Sequence, residues 1–206
     1  MDESAALAAA EAGADAIGMI FAPSRRRVTA EMGRRITRAL PPFVARVGVF
    51  VDETRERIAE IAEEAALDTI QLHGAEPPEV ARSFSLPVLK TIRVRDADSL
   101  RPLDVYQVSA FLLDTYDPDL RGGTGRVFDW SLAAAVSARH HIILSGGLRP
   151  DNVTQALDQV HPYGVDVSSG VETGGTKDRG KIRAFIRRVR EWEDRQRAVA
   201  GPLAGG

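Results

Sequence analysis

The chain has 206 residues, 44% of them hydrophobic and 27% charged, with a net charge of −2. That suffices for one well-buried domain, and it leaves no basic excess for nucleic acid or an anionic membrane surface. No run of about 18 apolar residues is present to span a bilayer, and the complete lack of cysteine excludes disulfides and thiolate metal sites within the chain. The start, Met1-Asp2-Glu3-Ser4, is acidic, whereas a secretory signal opens with a basic and then an apolar segment. Cytoplasm is therefore the expected compartment.

The first predicted element is an Ala-rich helix over residues 5–12, closed by Gly13. Residues 16–21 read as a buried strand and 30–40 as a helix, ended by Pro41-Pro42. A strand over 46–51 leads to a helix over 54–66. A strand over 69–72 leads to a helix over 77–84, and a strand over 88–94 to a short helix over 96–104. Strands over 110–113, 142–144 and 165–167 alternate with helices over 129–137, 150–160 and 178–193. In the last helix Ile182, Phe185, Ile186 and Val189 make one apolar stripe, and its Lys and Arg residues read as a solvated face. The domain is taken as residues 1–197, with 198–206 as a disordered tail.

The strands are near-continuous apolar runs joined through helices, the pattern of parallel strands covered on both faces. A short echo supports repetition. Gly13-Ala14-Asp15-Ala16-Ile17, Ala66-Leu67-Asp68-Thr69-Ile70 and Tyr163-Gly164-Val165-Asp166-Val167 each turn from a helix into a strand. The expected fold class is an α/β parallel TIM (β/α)₈ barrel. Seven strands and eight helices are counted, with a helix first, so the barrel lacks its first strand in this chain. A doubly wound open sheet is the rival, but no Gly-rich turn follows the first strand here.

Active sites of such barrels lie where the strands end. Leu144-Ser145-Gly146-Gly147-Leu148 follows one late strand, and Asp166-Val167-Ser168-Ser169-Gly170 follows the last. Glycine-bearing turns at these two places let backbone N–H groups approach an anion, so they read as a phosphate cradle rather than as two ordinary tight turns. Asp114 ends an apolar strand, where a partly buried carboxyl is a general-acid candidate; a helix cap or a loop ion pair is the plain alternative. Residues 117–126 hold a glycine-rich run and are a lid candidate. Arg25, Arg26 and Arg27 follow the first predicted strand and offer forked donors to a carboxylate, or make up a solvated basic loop. Gln71 and His73 point to one side of their strand. His73 lines the pocket or is a satisfied structural histidine. No role is expected for His140, His141 and His161, which sit away from the strand ends. No metal-ligand spacing occurs.

These segments together resemble the phosphoribosylanthranilate isomerase family. The resemblance is carried by EAGADAIG (11–18), SRRRVT (24–29), PPFVARVGVFV (41–51), QLHG (71–74), LLDT (112–115), GGTGRVFDW (122–130), LSGGLRPDNV (144–153) and YGVDVSSGVE (163–172). It implies an Amadori rearrangement of N-(5-phosphoribosyl)anthranilate, an aminoaldose, to an aminoketose in tryptophan biosynthesis, with no cofactor. It implies Asp114 as the general acid and Arg26, with Arg27 as the neighbouring register, on the anthranilate carboxylate. Gly146, Gly147, Ser168, Ser169 and Gly170 fall on the phosphate, and His73 and Asp166 face the pocket. A monomer or homodimer is expected, with a small-molecule substrate and neither nucleic acid nor membrane as partner.

The chain departs from the family pattern at its start. Family members open with a strand reading roughly K-I-C-G, whose cysteine is the general base. Here the sequence begins at the following helix. The expectation is that about eight to ten residues are missing, most simply through a misassigned start. The alternative reading is a truncated phosphosugar-binding remnant that does not catalyse. Another phosphosugar enzyme of this fold would carry metal ligands or a strand-end lysine. Lys90 invites that reading, and a structural or pocket-lining lysine is the expected outcome.

Overall fold

The structure is a computed structural model and describes residues 2–116 and 127–200. The lid candidate at 117–126 and the end of the expected tail, 201–206, lie outside the described residues.

Seven strands form one parallel sheet in simple sequence order. They are β1 (Ala16–Ile20), β2 (Ala45–Phe50), β3 (Thr69–Leu72), β4 (Val88–Val94), β5 (Ala110–Thr115), β6 (Ile142–Leu144) and β7 (Gly164–Val165). Around them lie α1 (Glu3–Glu11), α2 (Ala30–Ala39), α3 (Arg55–Glu64), α4 (Pro78–Arg82), α5 (Trp130–Ser137), α6 (Val153–Val160) and α7 (Arg179–Ala200). A 3₁₀ helix, Ala97–Asp104, stands between β4 and β5. The sheet curls as a TIM-type barrel does. Among the described residues β1 and β7 are its two edges.

Local chemistry explains the boundaries. Asp2, Thr29 and Thr54 accept hydrogen bonds from N–H groups in the first turns of α1, α2 and α3, which satisfies donors that a helix leaves orphaned. The echo seen in the sequence is a helix-ending motif. Gly13 and Ala66 both take left-handed backbone, with φ of 98° and 51°. The N–H groups of Ala14 and Leu67 reach back to Ala9 and Ala62, the bond that closes a helix in this way. Tyr163, at the third copy, follows a left-handed His161 instead.

The register sorts the side chains. Gly48 is opposite Met19 and Ile70, and Phe50 opposite Leu72. These face the helices, where Met19, Phe50, Ile70, Leu72 and Ile36 are all buried. A second cluster on the far side gathers Leu113, Ile142, Leu144, Val153 and Phe185. Gln71, Thr91, Asp114 and Asp166 lie on the opposite face, inside the curl. Gly48 is fixed by close approach, because a Cβ there overlaps Leu67 and Phe50.

The structure differs from the sequence-based expectation in three places. The last helix runs to Ala200, three residues into the expected tail. The last strand is two residues long and ends before Asp166. An additional hairpin, β8 (Glu172–Thr173) and β9 (Thr176–Lys177), turns at Gly174-Gly175 between β7 and α7. Both glycines have positive φ, as a tight hairpin turn requires.

Candidate active site

The C-terminal ends of the strands bring Asp114, His73, Asp166 and both glycine turns together. Asp114 is the penultimate residue of β5, its Oδ1 accepting the N–H of Thr115 at 2.8 Å. Its Oδ2 lies 3.5 Å from Nε2 of His73. The other ring nitrogen of His73 faces the Gln71 amide at 3.0 Å and the Thr91 hydroxyl at 3.1 Å. Both of these can donate, so Nδ1 accepts and the ring proton sits on Nε2, aimed at Asp114. Gln71 and Thr91 are themselves bonded at 3.2 Å and buried. Strand parity thus fixes His73 through Gln71, two residues earlier on the same face.

Asp166 follows β7. Its N–H donates to the Leu144 carbonyl at 2.8 Å, and Ser145 Oγ donates to its carboxylate at 3.0 Å. Enclosure by the curled sheet raises its pKa, and the Asp114 charge adds to the rise against the pull of Ser145. Asp166 is nevertheless exposed to solvent, which tempers that effect.

The two turns touch each other and the acid. A Cβ on Gly170 would overlap the Leu148 carbonyl and lie 3.0 Å from the Arg149 backbone. A Cβ on Gly146 would overlap Thr115 and lie 2.9 Å from Asp114 Oδ1. Gly146 also has φ of 82° and Gly147 of 68°. These glycines let three strand ends converge. Asn152 locks the first turn, accepting the Arg149 N–H and donating to the Gly147 carbonyl at 3.0 Å. Ser169 opens a one-turn 3₁₀ helix, Ser169–Val171. Among the described residues no hydrogen bond engages the N–H groups of Gly146, Gly147, Ser168 or Ser169. They remain as donors for an anion.

The three arginines separate in space. Arg27 is exposed, and Arg25 is 60% exposed at its side chain. Arg26 is drawn inward, its Nε and Nη2 donating to Glu172 at 2.7 and 3.0 Å. Lys90 lies on the helix-facing side of β4, opposite Leu72, and not on the face of Asp114 and Thr91. Its Nζ donates to the Gly74 carbonyl and to Glu76 at 2.6 and 2.7 Å, with both side chains 3% exposed. Glu76 in turn accepts the N–H groups of Asp52 and Gly74. Lys90 is a strut under the loop that carries His73. His140, His141 and His161 lie elsewhere, against Phe111, Tyr163 and Trp192. No metal-holding cluster of His, Asp and Glu occurs among the described residues.

The sequence did not single out Glu172 and Lys177. The Gly174-Gly175 pair was the available signal, since two glycines between Glu172-Thr173 and Thr176-Lys177 mark a hairpin. Fold and site together define an α/β-barrel protein of the enzyme-bearing type, with the carboxylate of Asp114 beside two glycine turns at the strand ends.

Comparison with known proteins makes the class particular. The family model described as N-(5′-phosphoribosyl)anthranilate isomerase matches residues 1–188. The N-(5′-phosphoribosyl)anthranilate isomerase of Pelobacter propionicus is 50% identical over 188 residues, 90% of each chain. A crystal structure of phosphoribosylanthranilate isomerase with reduced 1-(o-carboxyphenylamino)-1-deoxyribulose 5-phosphate superposes with a TM-score of 0.82. It is 41% identical and covers 92% of this chain and 94% of its own. Monomers generated from the dimeric enzyme of Thermotoga maritima give 0.83, at 39% identity and coverage of 92% and 94%. The chain belongs to the N-(5′-phosphoribosyl)anthranilate isomerase family, aldose–ketose isomerases of tryptophan biosynthesis.

Proposed function

We propose that this chain binds N-(5-phosphoribosyl)anthranilate across the strand ends, with Asp114 as the general acid of its Amadori rearrangement. Arg26 takes the anthranilate carboxylate, and the Gly146-Gly147 and Ser168-Ser169-Gly170 turns take the phosphate. Asp114 protonates the ribose ring oxygen and opens the ring to a Schiff base. The C2′ proton then passes to a general base, the role that the family resemblance gives to a cysteine not carried by these 206 residues, and the resulting enolamine tautomerises to the ketose. The substrate nitrogen supplies the electron sink, so no cofactor enters.

The observation that carries the reading is the contact of Asp114 with both His73 Nε2 and the Gly146 turn. This closeness of the Asp114 carboxylate to the Gly146 turn supports its assignment as the acid acting on a ribose held by its 5-phosphate. Arg26 is preferred to Arg27 because Arg26 alone of the two is turned inward. No cysteine occurs in the 206 residues, so the thiolate base that the family resemblance implies is not supplied by them.

The test is chromatographic conversion of the aminoaldose by the native chain and by Asp114→Asn. The reading expects turnover that falls about 10²–10⁴-fold in the variant, with the affinity for the product analogue within a few-fold. Equal turnover in both would remove Asp114 from the acid role. Ribose 5-phosphate binding with no conversion by the native chain would instead favour a phosphosugar-binding remnant, the reading of a different class.

We further infer a homodimer. Phe43 is fully exposed and held at φ 70°, a costly backbone for a bulky side chain, and a dimeric relative is known. No described helix is long and apolar enough to cross a membrane, and a tryptophan-biosynthetic role is consistent with the cytoplasm.

A further inference from the structure

The β8–β9 hairpin carries charges that the acid–base chemistry of Asp114 does not use. Glu172 is 5% exposed at its side chain, yet three cations converge on it. Arg26 gives it a forked pair of hydrogen bonds, Arg25 Nη2 lies at 3.1 Å and Lys177 Nζ at 3.2 Å. Lys177 is buried to 12% exposure and also donates to the Ser168 carbonyl at 2.7 Å and to Ser168 Oγ at 3.4 Å. One carboxylate and one ammonium therefore join the loop after β1 to the turn after β7.

The geometry of the Arg26 bond matters. Glu172 takes Nε–H and one Nη2–H, the side edge of the guanidinium. A guanidinium has five N–H donors in one plane. Among the described residues no partner takes the end edge, between Nη1 and Nη2, which suits a second carboxylate in forked geometry. A long side chain held this way loses little freedom when the second carboxylate arrives.

We propose that Glu172 and Lys177 are positioning residues for this family's substrate. Glu172 fixes the plane of Arg26 so that its free edge meets the anthranilate carboxylate, and Lys177 ties that arrangement to the Ser168 turn that meets the phosphate. The inference rests on the proposed assignment of Arg26 to the carboxylate and of the turns to the phosphate. It adds that the two anionic ends of the substrate are read by one connected device, with a local excess of positive charge left over once Glu172 is satisfied.

The experiment is calorimetric titration of the whole chain with two ligands. One is reduced 1-(o-carboxyphenylamino)-1-deoxyribulose 5-phosphate, which has both anionic ends. The other is ribose 5-phosphate, which lacks the carboxylate. The native chain is expected to bind the first at least about tenfold more tightly. Glu172→Gln should weaken the first ligand about 10–100-fold and leave ribose 5-phosphate within about twofold. In an Arg26→Ala background the same change should cost nothing more, because Glu172 acts through Arg26. Lys177→Met should weaken both ligands. Glu172→Asp keeps the charge but retracts it, so it should fall between native and Glu172→Gln; it serves where Glu172→Gln does not fold.

In Glu172→Gln, equal loss for both ligands, no loss for the carboxylated one, or a full loss persisting without Arg26 would each overturn the positioning role, and for Lys177→Met so would unchanged binding of ribose 5-phosphate. A native chain that binds the two ligands equally would overturn the Arg26 assignment itself, and the inference with it.

Discussion

Glu172 is where residue chemistry in this site is most constrained. Burial alone would raise its pKa, but Arg26 and Lys177 outweigh that and hold it below the ordinary value. A carboxylate lowered in the folded state adds stability above its unfolded pKa, about 4.3. That stability is lost as pH falls through the lower folded value. The stability difference between native chain and Glu172→Gln should therefore be constant from about pH 6 to 8 and shrink below about pH 4.3. Urea melts across that range would check it, and a difference unchanged down to the acid transition would mean that Glu172 is not held ionised by its neighbours. Glu172 was illegible in the sequence because its arginine partners are 146 and 147 positions away. Asp114 was legible because a carboxylate ending an apolar strand is unusual in itself.

At the scale of elements, the loops after the strands are braced by buried groups. Lys90 and Glu76 form a pair with both side chains 3% exposed, and Glu76 holds two loop N–H groups besides. Removing one member of such a pair leaves an uncompensated charge. Lys90→Met should cost about 3–5 kcal/mol in urea unfolding, and Lys90→Met with Glu76→Gln should recover part of it. A catalytic lysine would show the reverse, lost turnover at unchanged stability. Gly170 is a second brace, because any Cβ there meets the Leu148 carbonyl. Gly170→Ala should separate the two turns, with strain of about 1–3 kcal/mol and weaker ribose 5-phosphate binding by titration. Unaltered affinity would show that the turns need not touch to hold phosphate. The sequence placed both turns but not their contact, which depends on how β6 and β7 lie side by side.

The whole molecule is a curled sheet inside a ring of helices. Among the described residues β1 and β7 end the sheet, while α1 packs against both α2 and α7 and carries the helical layer past those edges. Fully exposed Phe43 stands in the connection from α2 to β2, at the end of the strands opposite the site. If it seats in a second copy, Phe43→Asp should weaken self-association about 30-fold or more, as loss of a buried aromatic anchor does. Turnover per chain should stay unchanged, since the site is at the far end. Sedimentation equilibrium decides this; a native chain that is monomeric at every attainable concentration would sink the dimer.

The sequence by itself determined the order of elements, the parallel sheet and the strand ends at which Asp114, His73 and the glycine turns appear. Those depend on periodicity and on the few residues just past each strand, and both are local. It also picked out the helix endings at Gly13 and Ala66 from their echo. Only the tertiary structure decided that Arg26 rather than Arg27 turns inward, that Lys90 is a strut, and that Glu172 and Lys177 join two distant loops. Each of those is a choice among side chains of the same type or charge. Proximity makes that choice, and proximity is set by strand register and by the curl of the sheet, which no short stretch of sequence contains.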